Sequence, residues 1–443
     1  MELHSLTFLF LFLPLTLAAY YCAPGRAKNA VLLGVSLLFY GLLQPLWLPV
    51  MVVSVLADYR VAASIHRFGR EDRRSALLIK IAVAKALTLI VLVAVAHQVY
   101  GFPMPLGIYI YLLTSLGYLL DFYKGEVPFE PSLVRFGVFC CFFGKLAAGP
   151  LVEYQEVGGD LARSSLSLPE LGRGLCIFIR GLGKKVLVAD GINRVYLTLR
   201  AIPAVQLDQL GTWALVFCSA FSVYFTLSAY CDMARGLGRC FGMELPLNFN
   251  YPFEARTVDD FFSRFNTTIS RFIRKHVYLP LGSDQNGRVS AALNILLTAM
   301  LMGLWFGLQI NFLAWGTFLG LLLIAENLWL QKVFQYIPPF FVRVLTFAAT
   351  LLSFAVFSAD SLSIAWTYLH NLLGLGPQMG EIAERVLYLL SSNYTVIALC
   401  FVLSSSLVTK VGRRLARRSP VLAAAGGGLM HLGLLAITVA FML

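Results

Sequence analysis

Charged residues are scarce in this sequence. Asp, Glu, Lys and Arg make up 13% of its 443 residues, whereas hydrophobic residues make up 58%. Soluble globular domains carry about 25% charged residues, so the composition excludes an ordinary soluble protein. The apolar residues fall into runs long enough to cross a bilayer, which takes about 20 residues per helix. The sequence therefore predicts an all-α, multi-pass membrane protein.

Ordered cysteine and histidine patterns are missing as well. The eight cysteines form no Cys-x-x-Cys pair, and none is spaced with histidine as in a zinc site. The formal charge of +12 is carried by short basic segments between apolar runs, without the aromatic-interleaved patch that binds nucleic acid. We therefore expect no disulfide framework, no metal centre and no nucleic-acid partner.

The apolar runs define the predicted spans. They are Leu6–Tyr21, Val31–Leu43, Leu46–Ala57, Ala76–Ala96, Leu106–Leu120, Trp213–Ala229, Ala291–Phe306, Ile310–Ile324, Phe340–Val356, Tyr394–Val408 and Ala423–Phe441. Val138–Val152 contains Lys145, Gly149 and Pro150, which predicts a re-entrant or partly buried segment. Gly174–Leu199 is interrupted by charges and is expected to lie partly at the interface, and Ser363–Leu373 is expected to lie flat. Gly426–Gly428 predicts close helix packing.

Basic loops orient the predicted spans. Residues 60–74 and 410–418 are rich in arginine and are expected to be cytoplasmic loops. The first positive charges, Arg26 and Lys28, follow the first span, which favours an N-terminus outside the cell and argues against a cleaved signal peptide. We expect a single membrane domain over residues 1–443.

The segment from Thr257 to Lys275 predicts an amphipathic helix. Thr257 is the expected N-cap, followed by Asp259 and Asp260 in the first turn, where acids are favourable. At 100° per residue, one face is apolar and the other is basic. Asn266 falls at the edge of the apolar face. Two interpretations remain open for it, a satisfied structural amide or a polar group lining a substrate tunnel.

Several ordered motifs resemble one family. The core motif region, residues 228–320, contains Asn248–Phe253, Tyr278–Gly282, Gly303–Gly307 and Asn311–Gly316. Further matching segments are Pro105–Ile108, Tyr118–Gly125, Ala148–Leu151, Gly181–Asp190 and Ser228–Ala234. Together they resemble the membrane-bound O-acyltransferases, in the bacterial branch of alginate O-acetylases and teichoic-acid D-alanyl transfer proteins. The resemblance implies a basket of transmembrane helices around a central tunnel, with re-entrant and interfacial helices.

The sequence departs from that family at its histidines. The family's Arg-Trp-His corresponds to Arg264-Phe265-Asn266, and its Gly-Leu-Trp-His-Gly corresponds to residues 303–307, with Phe306 at the histidine position. A further frequent histidine corresponds to Leu319. Asparagine cannot accept a proton near neutral pH, and loss of a general base typically costs about 10²–10⁴ in rate. His276 is the one histidine near the core and a weak candidate for a relocated base.

The resemblance also implies substrates, partners and location. It implies substrate contacts at Trp305, Asn311, Tyr251, Arg264 and Asp232; Asp232 is alternatively expected to pair with Arg235 or Arg239. It implies an acyl thioester or acyl-carrier donor reached from the cytoplasm. The acceptor would be an exported polysaccharide such as alginate, and membrane lipid and periplasmic acylation proteins would be partners in the bacterial inner membrane.

Three hypotheses for activity follow. The first is an O-acyltransferase whose base has been lost or moved to His276. The second is a catalytically silent scaffold in an acylation or secretion complex. The third is a conduit that passes acyl groups across the membrane to another protein.

Overall fold

The computed structural model describes residues 2–163, 167–282, 287–377, 380–418 and 420–443. In these residues every regular element is a helix, and the β-structure is limited to one bridge between Phe249 and Phe265. The first eleven helices are α1 (Leu13–Cys22), α2 (Lys28–Leu43), α3 (Leu48–Phe68), α4 (Arg73–Tyr100), α5 (Ile108–Lys124), α6 (Leu133–Cys141), α7 (Phe143–Leu146), α8 (Tyr154–Arg163), α9 (Leu168–Gly183), α10 (Asp190–Arg200) and α11 (Gln209–Cys240). The remaining helices are α12 (Val258–Arg264), α13 (Thr267–Ile273), α14 (Arg288–Leu304), α15 (Ile310–Ala325), α16 (Gln331–Phe334), α17 (Pro339–Phe357), α18 (Leu362–Leu372), α19 (Glu381–Ser392), α20 (Tyr394–Leu403), α21 (Leu407–Arg418) and α22 (Pro420–Met442).

Short helical turns of other types flank these helices. π-Helical turns cover Phe8–Phe12, Lys184–Ala189, Arg274–Tyr278 and Glu326–Leu330, and 3₁₀ turns cover Gly25–Ala27, Ala204–Gln206 and Pro252–Glu254.

Six helical stretches in the described residues are long and apolar enough to cross a membrane. They are Gly25–Leu43, Leu48–Phe68, Arg73–Tyr100, Gln209–Cys240, Ile310–Phe334 and Pro339–Phe357. The pair Ile382–Ser392 and Tyr394–Leu403, bent by 64°, makes a seventh if it is counted as one span. The prediction of an all-α, multi-pass membrane protein is confirmed.

Two helices run well past the predicted spans. α3 continues beyond Ala57 to Phe68, so Arg60 and Arg67 lie in a helix and not in the predicted loop. Asp58 does not end this helix because it is buried and paired with Lys85 at 2.6 Å. α11 likewise continues past Ala229 to Cys240.

The C-terminal predictions also need correction. The predicted span Tyr394–Val408 is interrupted after Leu403, because Glu254 accepts hydrogen bonds from the Ser406 N–H at 2.7 Å and its hydroxyl at 2.9 Å. The basic segment 410–418 lies in helix α21 and not in a loop. Among the described residues, no heavy atom outside the helix lies within 4 Å of a Cβ built on Gly426, Gly427 or Gly428. The prediction of close packing at these glycines is therefore wrong.

The chain forms two compact units. Unit 1 comprises Met1–Leu182, Ala229–Leu247 and Met442–Leu443, and unit 2 comprises Gly183–Ser228 and Asn248–Phe441. The single domain expected over residues 1–443 stays a prediction.

Unit 1 contains the irregular segment expected around Lys145. α6 ends at Cys141, and α7 covers only Phe143–Leu146 before the chain leaves the helix. The Lys145 amine is buried and donates to the Phe139 carbonyl at 2.5 Å, so it bonds a carbonyl near the end of α6. The predicted irregular, partly buried backbone is confirmed.

Unit 2 is built around the hairpin of α14 and α15. A Cβ on Gly303 would overlap the Phe312 carbonyl, and one on Gly316 would overlap the Ala299 carbonyl. The two helices therefore touch through their backbones, which only glycine allows at these points. This contact confirms the predicted hairpin and fixes the turn that carries Phe306.

Candidate active site

A break between α12 and α13 positions Asn266. The prediction of one continuous amphipathic helix is wrong here, because α12 ends at Arg264 and α13 begins at Thr267. Asn266 has a φ of 54°, in the left-handed region. Asparagine and histidine are among the few non-glycine residues that populate this region readily. Only 3% of Asn266 is exposed, so the position needs a residue that accepts this backbone and satisfies a buried polar group.

The break is stabilised by an amide knot, which we define as Asn248, Asn266 and Thr268. Asn248 Oδ1 accepts hydrogen bonds from the Thr268 N–H at 3.0 Å and the Thr268 hydroxyl at 2.8 Å. This fixes the orientation of the Asn248 amide, whose Nδ2 donates to Asn266 Oδ1 at 2.9 Å. The Asn266 side-chain oxygen therefore already accepts a hydrogen bond from Asn248. Its Nδ2 has no hydrogen-bond partner within the described part of the chain.

Backbone pairing extends the knot on both sides. Phe249 and Phe265 form the isolated β-bridge, the Asn250 N–H donates to the Arg264 carbonyl at 3.0 Å, and the Thr267 N–H donates to the Asn248 carbonyl at 2.9 Å. The strand-like pairing takes the place of helical hydrogen bonds at residues 264–267. This pairing explains why the helix does not continue through Asn266.

Phe306, at the second family histidine position, belongs to an aromatic cluster. Its ring centroid lies 5.3 Å from Phe357, 5.4 Å from Trp315, and 6.4 Å from both Phe312 and Phe265. The Phe357 and Trp315 rings meet it nearly edge to face, a favourable aromatic geometry. The Phe265 contact joins the cluster to the break beside Asn266. The two family histidine positions therefore lie in one local structure.

Two polar contacts tie the aromatic cluster to α17. Trp315 is fully buried, and its indole N–H donates to the Ser353 hydroxyl at 3.0 Å. Asn311 Nδ2 donates to the Phe357 carbonyl at 3.1 Å. Asn311, expected to contact substrate, is 5% exposed and joins α15 to the end of α17. Trp305, the other aromatic residue expected to bind substrate, is half-buried in the turn after α14.

Tyr251 and Arg264 lie beside the break but point to other partners. Tyr251 has a φ of 49°, and its hydroxyl lies 2.5 Å from the Thr409 hydroxyl. Arg264 Nε donates to Asp260 at 2.5 Å. Burial alone would raise the pKa of Asp260, but hydrogen bonds from Arg264 and the Arg256 N–H outweigh it and lower that pKa below its usual value. The predicted N-cap is confirmed, because Thr257 accepts a hydrogen bond from the Asp260 N–H at 3.0 Å.

Asp232 and His276 complete the predicted set. Asp232 belongs to unit 1, and one of its oxygens lies 3.7 Å from Arg235, which confirms one of the expected pairings. Arg239 instead pairs with Glu170 at 2.8 Å. His276 lies in the π-helical turn after α13, and its ring centroid lies 4.7 Å from that of Phe272, one turn earlier in the chain, with the two ring planes tilted by 54°.

The site contains residues that sequence reasoning did not single out. Asn248 and Thr268 orient Asn266, and Trp315 and Ser353 support the cluster at Phe306. Asn248 stands 18 positions before Asn266 in a segment that is not helical, so no single helix connects them. Two asparagines within the matching motif at 248–253 were a signal that this segment carries hydrogen bonds. A buried tryptophan in the hairpin motif was a similar signal for Trp315.

The arrangement has a defined chemical capacity. Asn266 offers an N–H donor, and Phe306 offers an apolar surface without a titratable group. An amide donor stabilises a developing negative charge on a carbonyl oxygen, but it cannot take a proton from an alcohol. In the described residues no group of three or more His, Cys, Asp or Glu side chains is arranged to hold a metal ion.

Comparison with known proteins places this site in a family. A model of the MBOAT, membrane-bound O-acyltransferase family matches residues 34–364. The chain is 28% identical over 386 residues to a protein of Azotobacter vinelandii named "Probable alginate O-acetylase AlgI", covering 83% of this chain and 77% of that protein. It is 28% identical over 416 residues to a peptidoglycan O-acetyltransferase of Helicobacter pylori, covering 83% and 79%. A teichoic acid D-alanyltransferase of Bacillus subtilis is 22% identical over 280 residues, covering 59% and 70%.

The match of the family model extends over most of the chain and includes Asn266 and Phe306, the positions at which the resemblance implies histidine. The membrane-spanning helices and the hairpin turn agree with the motifs on which the resemblance rested. The chain belongs to the membrane-bound O-acyltransferase family.

Proposed function

We propose that this protein takes part in O-acetylation of an exported polysaccharide such as alginate, as the membrane-embedded O-acyltransferase. The observation that carries the proposal is the family match over residues 34–364, together with O-acetylases that align over more than three quarters of their own length. These similarities favour transfer over the silent scaffold and over the conduit. The donor would be an acyl thioester or an acyl-carrier protein on the cytoplasmic side.

The proposed reaction places the acyl carbonyl beside Asn266. An acceptor hydroxyl attacks the thioester carbonyl, a C–O bond forms, the C–S bond breaks, and the thiol leaves with the proton of the hydroxyl. The Asn266 Nδ2–H, which has no partner in the described residues, would donate to the carbonyl oxygen as it gains charge. The leaving thiolate, with a conjugate-acid pKa of about 8.5 for a simple thiol, would carry the proton away.

Phe306 would give the acyl group an apolar wall in place of an imidazole. The cluster of Phe306, Trp315 and Phe357 keeps this wall rigid, and the amide knot keeps Asn266 in one orientation. Reaction without a protein base would be slow in comparison with relatives that keep histidine, since general-base catalysis contributes about 10²–10⁴.

The proposed setting is the bacterial inner membrane with the N-terminus outside. Periplasmic acylation proteins and an exported polysaccharide would meet the protein on that side. A tunnel leading to Asn266 and Phe306, as the resemblance implies, would bring the acyl group from the cytoplasmic donor.

Transfer of a radiolabelled acetyl group tests the proposal. The purified protein in lipid nanodiscs is given labelled acetyl thioester and an alginate oligosaccharide, and label in the saccharide is counted. We expect measurable transfer by the wild type, and a rate raised by up to about 10²–10⁴ in Asn266→His/Phe306→His. His276→Ala should transfer as fast as the wild type.

The other outcomes discriminate among the hypotheses. Loss of transfer in His276→Ala would identify His276 as the base and overturn the proposed role of Asn266. No transfer by the wild type, with transfer restored in the double-histidine variant, would favour the silent scaffold. Acetyl label that crosses a vesicle membrane without reaching the saccharide would favour the conduit.

A further inference from the structure

A groove runs between α11, α17 and α20 in unit 2. It consists of two cavities, of about 600 Å³ and about 720 Å³, that share the ring of Phe401. Successive turns of the same helices line both cavities: Phe217 and then Phe221 on α11, and Leu351 and then Phe347 on α17. The two cavities therefore adjoin at Phe401 and together make up the groove.

The first cavity is the apolar end of the groove. Its walls include Leu210, Trp213, Phe217, Leu351, Ile397 and Phe401. Along α20, the groove extends from Tyr394 in the first cavity to Ser404 in the second, a rise of about 15 Å at 1.5 Å per residue. This is about half of a hydrocarbon core of about 30 Å, the depth of one leaflet.

The second cavity is the charged end. Its lining includes two acids and four cations: Glu254, Asp260, Arg256, Arg264, Arg343 and Lys410. Asp260 is paired with Arg264, whereas Glu254 accepts hydrogen bonds from the neutral Ser406 and keeps its negative charge, so the cations outnumber the acids at this end.

The other three cations are Arg256, Arg343 and Lys410. They form no ion pair within 4 Å among the described residues, and all three are exposed. The charged end therefore carries an uncompensated positive charge directly beside an apolar channel.

We propose that this groove binds one anionic phospholipid, with its phosphate against Arg256, Arg343 and Lys410 and an acyl chain along α20 towards Trp213. The basic side chains favour an anionic headgroup, because opposite charges attract. The apolar walls of the first cavity favour the lipid's acyl chain. The charged end lies next to the basic helix α21, which the positive-inside rule assigns to the cytoplasmic side, so the lipid belongs to the cytoplasmic leaflet.

The groove shares Arg264 with the surroundings of the candidate active site but lies apart from its two central positions. Neither Asn266, Trp305 nor Phe306 lines it. Ring contacts lead from Phe221 in its wall through Phe253, Phe261 and Phe265 to Phe306, with successive centroid distances of 4.6, 6.3, 5.1 and 6.4 Å. The lipid therefore packs behind the aromatic layer that supports Phe306, and its binding does not depend on the proposed transfer activity.

Lipid retention tests the charged end. The delipidated full-length protein is mixed with equal amounts of phosphatidylglycerol and phosphatidylcholine of the same chains, and bound lipid is counted by native mass spectrometry. We expect phosphatidylglycerol to be retained preferentially. Arg256→Gln/Arg343→Gln/Lys410→Gln should lower its affinity by about fivefold per charge, about 10² in total. The matched control Lys332→Gln/Arg413→Gln/Arg414→Gln removes as much charge outside the groove and should retain the lipid.

A second pair of variants tests the apolar end. Ala398→Trp fills the first cavity without altering a charge, whereas Leu399→Trp places the same ring beside it on α20, outside the lining. We expect Ala398→Trp to lose phosphatidylglycerol and Leu399→Trp to keep it. Soluble glycerol phosphate, which lacks a chain, should not displace the lipid at equal concentration.

Any of four results would overturn the proposal. These are equal retention of the two lipids, equal losses in the two triple variants, retention by Ala398→Trp as by Leu399→Trp, or displacement by glycerol phosphate. Displacement by an equal amount of long-chain acyl thioester would instead identify the groove as a donor site and would also overturn it. The substituted side chains at the charged end are exposed, so the variants should fold, and circular dichroism checks this.

Discussion

The two positions at which the family resemblance implies histidine, Asn266 and Phe306, differ in their surroundings in opposite ways. Asn266 keeps a polar group in a buried, left-handed position and is oriented by Asn248. Phe306 has lost every polar function and packs among Trp315, Phe312 and Phe357. The first position offers hydrogen bonding without a basic group, and the second offers only an apolar surface. Hydrogen-bond donation is thus the chemistry that this pair of positions provides.

The largest expected effect comes from the polar position. Asn248→Ala removes three buried hydrogen bonds, to the Thr268 N–H, the Thr268 hydroxyl and the Asn266 oxygen, and removing one partner of a buried hydrogen bond costs about 1–3 kcal/mol. We expect a loss of at least about 3 kcal/mol in stability, measured by thermal or denaturant unfolding in detergent. Asn250→Ala, at an exposed position two residues away, should change stability by less than about 0.5 kcal/mol. Equal stability of the two variants would show that the knot does not hold the break.

The aromatic position should give the next largest effect. Phe306→Ala removes a half-buried ring from its cluster, and we expect a loss of about 2 kcal/mol, below the 3–5 kcal/mol typical of a fully buried phenylalanine. Phe341→Ala is the matched control, because Phe341 is 57% exposed. Unfolding of both variants in the same detergent measures the difference. A Phe306→Ala protein as stable as the wild type would mean that the cluster does not depend on this ring.

Substitution of Asn311, which is bonded to the aromatic cluster, distinguishes a structural role of this residue from a contact with substrate. Asn311→Ala removes the hydrogen bond to the Phe357 carbonyl, and we expect a loss of about 1–2 kcal/mol in stability. If its role is structural, the KM for the acetyl thioester should stay unchanged. A raised KM at unchanged stability would show that Asn311 contacts substrate, as the family resemblance implies.

The smallest effect concerns the acid beside the polar position. Because folding lowers the pKa of Asp260, its carboxylate stabilises the fold at pH values above the unfolded-state pKa of about 4. This stabilisation is lost as the pH falls through the folded-state pKa. We expect Asp260→Asn to lower stability by less than about 1 kcal/mol at pH 6, because the side chains of Arg264 and Asp260 are 31% and 26% exposed and water still screens the pair. The difference from the wild type should shrink as the pH falls below about 4 and vanish below the folded pKa. A difference that does not shrink with falling pH would rule out the ionised carboxylate as its cause.

Local features of the fold were predictable, and long-range ones were not. The Thr257 cap and the hairpin around residues 303–311 follow from side-chain chemistry and apolar periodicity over a few turns, and both are present. The break at Asn266 depends on Asn248, and the continuation of α3 depends on the Asp58–Lys85 ion pair. Partners so far away in the chain leave no periodic signal. The sequence motifs located Asn266 and Phe306 but could not show that one is hydrogen-bonded and the other is packed in aromatic rings.

The most direct test of donation by Asn266 is acyl transfer by Asn266→Asp. Aspartate tolerates the left-handed backbone and can still accept from Asn248 Nδ2, but it replaces the Nδ2–H donor by a second oxygen. The account predicts that transfer of labelled acetyl to the saccharide falls by about 10²–10³ while the protein stays folded. Transfer that is unchanged, or that rises because the carboxylate acts as a base, would contradict it.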